Sequence, residues 1–173
     1  MNKMKKIIIA IAVALSFVLP TWAAEVNTKV FKVPEGPGIN AAYRGPFIYW
    51  AAVETESLCK GFSLAMGEEV PYATKQKIFE LAYKHAGKNL LPALRKHEIL
   101  PEWVFIMSHP DVRDAHYKII TAKTEKDFLR AVREATTLAH TKRKSLRKLG
   151  LDEAYFSSYC DFLESAAKLL DKG

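Results

Sequence analysis

Five prolines divide the middle of this chain: Pro46, Pro71, Pro92, Pro101 and Pro110. Proline has no N–H and its ring clashes inside a helix, but it fits the first turn, where the N–H has no partner anyway. Apolar residues recur at three- and four-residue steps after each of them, the period of a helix with one buried face. Each proline is therefore read as a helix start. The first helix is predicted from Pro46 or Phe47 to Met66, closed by Gly67. Shorter helices follow over about 71–86 (closed by Gly87), 90–97, 101–108 and 110–121, with Ser108 and Asp111 capping the last. Thr124 and Asp127 open the longest helix, to about Leu149 with Gly150 as its cap, and Asp152 opens a final one to about Leu170. The expected fold is all-α: a single irregular helical domain of about six helices, spanning 47–173, rather than an up-down bundle.

The beginning of the chain is of a different kind. MNKMKK is basic, and Ile7 to Leu19 then run almost without a polar atom until Pro20. Roughly 20 apolar residues are needed to cross a bilayer, so this pattern predicts a cleaved secretory signal, residues 1–23, rather than a spanning helix. Export to the periplasm or outside the cell is the expected destination. The chain carries 26 Lys and Arg against 19 Asp and Glu, a balance of +7. Removing Lys3, Lys5 and Lys6 with the signal lowers this to +4, so the remaining chain is only mildly basic.

Residues 24–46, AEVNTKVFKVPEGPGINAAYRGP, are too rich in proline and glycine for a helix. They are expected to form an extended arm laid across the helices, with Lys29 to Val33 as a short extended segment. Such an arm is a tethered terminus or a partner-binding strand. The aromatic run Phe47 to Trp50 follows directly and would be uncovered if the arm moved.

The chain has two cysteines, Cys59 and Cys160. Cys59 shares a stripe with Ile48, Ala52, Thr55, Phe62 and Met66. Cys160 shares one with Phe156, Tyr159, Leu163, Ala167 and Leu170. Two inward thiols, on the first and last helices of an exported chain, predict a structural Cys59–Cys160 disulfide. A loop of that length would be worth about 4–5 kcal/mol in the chain-entropy model.

The binding feature with the clearest pattern lies on the longest helix. Phe128, Val132, Ala135, Ala139 and Leu146 mark its inner face. The opposite side carries Lys126, Arg130, Arg133, His140, Lys144, Arg147 and Lys148, with Asp127 and Glu134 on the flank. A cationic stripe of this kind suits an acidic protein or an anionic envelope component, or simply keeps the helix soluble. It lacks the interleaved aromatics of a single-strand binder, and export argues against nucleic acid.

Signals for catalysis and cofactors are weak. Glu54, beside Tyr49 and Trp50, is the one candidate for a single-carboxylate hydrolase of the cell envelope. His85, His97, His109, His116 and His140 form no HExxH and no cluster with metal-ligand spacing, and CxxCH is absent. Met107 with His109 is the only pair with any attraction for a soft metal or haem, and no cofactor or metal is expected. His116 is expected to border the core. The reading of the sequence is an exported, non-enzymatic binding protein, with the hydrolase as its alternative.

Overall fold

The computed structural model describes residues 30–36, 38–107, 109–141 and 153–171. The expected signal, the first part of the arm, Ser108 and residues 142–152 lie outside them. All regular structure among the described residues is helical. Helix α1 spans Ala41–Met66 and α2 spans Tyr72–His85. A π turn, Ala86–Leu90, joins α2 to α3, Leu91–Lys96, as one continuous rod. The remaining helices are α4, Leu100–Met107; α5, Pro110–Ile120; α6, Glu125–Thr141; and α7, Glu153–Leu170. Counting the α2–α3 rod once, the described residues form six helices, the number expected, although the helices expected separately over 71–86 and 90–97 run on as one.

Helix α1 is the central element. It packs against α2, α4, α5 and α6, and nearly every residue from Pro46 to Cys59 is buried. This explains why no single stripe describes it: a helix surrounded by others is apolar on all sides. Phe47 stacks on Trp103 of α4 at 4.7 Å, and Trp50 on His85 of α2 at 5.9 Å. Helix α7 packs on α2 and the π turn, burying Tyr159, Phe162, Leu163, Ala166 and Leu170.

Several boundaries differ from the sequence reading, each for a local reason. Helix α1 starts five residues before Pro46. Asn40 caps it by accepting the Ala42 N–H at 3.0 Å, so the proline costs one hydrogen bond near the end instead of ending the helix. Gly87 does not close α2; it sits in the π turn, whose extra residue widens the backbone just ahead of Pro92. The rod ends instead at Glu98, a non-glycine residue with φ 57°. There the Ile99 N–H reaches Leu94 O and the Glu98 N–H reaches Arg95 O, both at 3.0 Å, closing a Schellman turn sealed by buried Ile99 and Leu94. His109 caps α5, its Nδ1 accepting the Asp111 N–H at 3.3 Å; the Ser108 expected there lies outside the described residues.

The expected disulfide is absent. Both cysteines are free thiols and are not within disulfide distance. Helix geometry gives the reason. The α1 residue that meets α7 is Glu54, and Cys59 lies about 140° around the helix from it, on the side facing Lys75 of α2. Cys160, one step beyond buried Tyr159, lies on the flank of the α7 inner face and is only half-buried. Two inward stripes on two helices do not imply that any chosen pair of residues meets.

Candidate functional site

The cationic side of α6 follows from its amphipathic pattern. Phe128, Ala131, Val132 and Ala135 are buried against α1 and α5, which turns Lys126, Arg130 and Arg133 to solvent, where all three are exposed. The side chain of His140, and all of Lys144, Arg147 and Lys148, lie outside the described residues. Thr124 and Asp127 cap the helix as expected: Thr124 Oγ1 accepts the Asp127 N–H at 3.1 Å and donates to Asp127 Oδ2 at 2.8 Å.

Beside this face, the end of α5 and the start of α6 enclose an open cleft of about 460 Å³. Lys118, Lys123 and Arg130 line it together with Asp127 and Glu134, over a floor of Ala122 and Ala131. Two of its cations are paired: Lys118 with Glu134 at 3.0 Å, and Arg130 with Asp127 at 2.5 Å. These are solvent-exposed pairs, held weakly and readily exchanged for an external anion. Lys118 and Lys123 belong to this surface and were missed by the sequence reading. They precede α6 in the chain and join its cationic side only because α5 turns back against it.

The carboxylate candidate sits in a different setting. Glu54 is fully buried in α1. Tyr159 of α7 donates its hydroxyl hydrogen bond to Glu54 Oε2 at 2.8 Å. Glu54 Oε1 and the buried Ser57 hydroxyl have no hydrogen-bond partner among the described residues. Burial pushes the Glu54 carboxyl up to about 8, opposed by the Tyr159 hydrogen bond, so the group is held as a neutral acid at pH 7. His85 completes the cluster, packed by Trp50, Tyr159 and Phe162 at ring separations of 5.9, 5.7 and 5.6 Å. Its burial lowers it to about 4, so it is a neutral ring. Asn89, in the π turn, lies 3.2 Å from its Nδ1. The sequence could not foresee this grouping, because Glu54, His85 and Tyr159 share no spacing.

His116, His109 and Cys59 have structural settings. His116 is deeper than the core border expected for it: fully buried, its ring is lowered by desolvation to about 3. His109 spends Nδ1 on its cap while Met107 is fully buried, so the pair forms no shared ligand site. Among the described residues no group of three or more His, Cys, Asp or Glu could hold a metal ion. Burial pushes the Cys59 thiol up to about 12, which leaves it protonated and unreactive. The apolar run at Trp103 to Met107 is only partly core: Trp103 and Met107 are buried, whereas Phe105 points outward and is 71% exposed. No described helix is long and apolar enough to cross a membrane.

Comparison with known proteins yields no relative: no family model, no curated protein and no solved structure matches this chain.

Proposed function

We propose that this is an exported, non-enzymatic binding protein whose α6 face and adjoining cleft engage an anionic envelope component or the acidic surface of a protein. The observation that carries this reading is the set of solvent-facing cations on α5, α6 and the turn between them: Lys118, Lys123 and Arg130 line one cleft, and Lys126 and Arg133 stand exposed on the same helix as Arg130. Clustered cations raise the local concentration of an anionic partner, and their effect falls as salt screens them beyond about 10 Å at 0.1 M. Export rests on the basic, apolar beginning of the chain.

The hydrolase alternative rests on Glu54, whose neutral carboxyl has the protonation state of a general acid. A general acid must come within hydrogen-bond reach of the substrate, and a fully buried side chain in the central helix does not. Glu54 is read instead as part of the packing between α1 and α7.

The test is retention of the protein without its signal on heparin and on vesicles containing anionic lipid, with zwitterionic vesicles as the control. Replacing Lys123, Lys126 and Arg133 with glutamine should lower the eluting salt concentration while leaving the helical circular dichroism unchanged. Equal retention of the variant and the unaltered protein would sink the proposal.

A further inference from the structure

A second recognition surface lies on α2, away from the cations of α6. Tyr72, Gln76 and Glu80 stand at four-residue steps along one side of the helix and are linked to one another. The Tyr72 hydroxyl lies 3.3 Å from Gln76 Oε1, and Gln76 Nε2 donates to Glu80 Oε1 at 2.9 Å. An ionised carboxylate only accepts, so Glu80 fixes which end of the Gln76 amide is the donor.

Onto this side of α2 the arm lays a short segment, in which Val30 ends a helical turn, Phe31 stands at a bend and Lys32 to Pro34 are irregular. The Lys32 N–H donates to Gln76 Oε1 at 3.0 Å, and Gln76 Nε2 donates to the Lys32 carbonyl at 2.8 Å. One side-chain amide thus engages both main-chain groups of a single residue, as a neighbouring strand would. Tyr72 donates to the Val30 carbonyl at 2.7 Å. Between these contacts Phe31 is buried, stacked on Phe79 at 4.7 Å and 4° and on Tyr72 at 6.5 Å. The Lys32 side chain faces solvent and takes no part.

We propose that the face of α2 formed by Tyr72, Gln76, Phe79 and Glu80 is a binding site for a short, non-helical peptide segment carrying an aromatic residue, and that Val30–Val33 occupies it in cis. The partner chemistry follows from the occupant: one aromatic side chain for the slot on Phe79, followed by a residue read only through its main chain. The arm is suited to release. Its hydrogen bonds to α2 lie at exposed positions, where local opening is easy. Gly36 and Gly38, with φ of 68° and 75°, separate it from α1 at backbone conformations that other residues adopt only with strain. Tethering gives the arm an effective concentration of about millimolar, so an outside peptide competes at a disadvantage until the arm is loosened.

The probe is a blocked hexapeptide of residues 30–35, VFKVPE, titrated against the full mature chain by NMR or calorimetry. The Phe31→Ala chain should bind it saturably and with an apparent affinity at least about tenfold tighter than the unaltered chain, a difference of ~1.4 kcal/mol. Bound peptide should also raise the melting temperature of that variant by refilling the slot on Phe79. A peptide with alanine at the phenylalanine, or the added substitution Gln76→Ala, should abolish both effects. Lys32→Pro, which deletes the N–H given to Gln76 while keeping Phe31, is an independent way to loosen the arm and should also tighten peptide binding. Absence of saturable binding by either folded variant, or binding that ignores Gln76, would overturn the proposal.

Discussion

The cluster around Glu54 and the cationic face of α6 are opposites. The first holds two strongly perturbed side chains, Glu54 and His85, and is closed to solvent. The second holds exposed charges, two of its cations in weak ion pairs. Perturbed pKa values cluster at catalytic sites, but burial in a core perturbs them just as well. The comparison teaches that strength of perturbation and usefulness to a partner are separate properties. Glu54, His85 and Tyr159 govern how α7 is held and how stability depends on pH, whereas Lys118, Lys123, Lys126, Arg130 and Arg133 govern what the surface attracts.

The largest test of that division is Trp50→Ala. Trp50 is almost wholly buried and stacks on His85, so its truncation should cost about 3–5 kcal/mol. Chemical denaturation will measure the loss; a cost near zero would mean that the sealed cluster is not part of the stabilising core.

The pH profile comes next. Glu54 rises from 4.5 to about 8 on folding, so between those values the folded chain holds a proton that the unfolded chain has released. Stability from this group is complete below pH 4.5 and is lost as pH rises toward 8. His85 and His116 fall from 6.5 to about 4 and about 3, so their contribution is complete above pH 6.5 and is lost as pH falls. Two histidines outweigh one glutamate below 6.5, and the glutamate dominates above it. Stability should therefore peak near pH 6.5 and fall by about 1 kcal/mol by pH 8, because the unfolded histidines finish releasing their protons just above 6.5 while Glu54 is half ionised at 8. Glu54→Gln should flatten the alkaline side. An unaltered alkaline decline would show that Glu54 is not its source.

Tyr159→Phe removes the one hydrogen bond that Glu54 Oε2 receives from α7. The expected cost is about 1–3 kcal/mol, that of leaving a buried acceptor unsatisfied. No loss of unfolding free energy would place the hold on α7 in its apolar contacts alone. Smallest of all, Cys160→Ser should stay within about 0.5 kcal/mol, as a half-buried residue outside any bridge should. Reductant should leave the melting temperature of the unaltered protein unchanged. A marked fall under reductant would restore the disulfide and break the present account of α1 and α7.

Much of the helical layout was visible before any coordinates. The start of α6 at Thr124 and Asp127 and its inner residues Phe128, Val132 and Ala135 follow from a capping pattern and a 3.6-residue period, both local properties. The same is true of Gly67, where a left-handed residue ends α1 with φ 78°. Pro46 and Pro92 misled because a proline forbids one hydrogen bond, not a helix. Whether the chain continues past it depends on what the neighbouring turns gain by packing. The run at Trp103 to Met107 misled because high hydrophobicity hid a two-faced helix that leaves Phe105 outside.

The sequence by itself determined the all-helical character of the described chain, its caps and the inner face of α6, because these depend on residues within a turn or two of one another. Only the tertiary structure decided that Glu54 meets Tyr159 while Cys59 and Cys160 remain apart, that Lys118 and Lys123 join the cations of α6, and that Phe31 lies on Phe79. Each of these depends on how one helix is rotated against another. That rotation is set by the fit of many side chains at once, and a stripe of apolar residues specifies a face about 100° wide, too broad to choose the contacting pair.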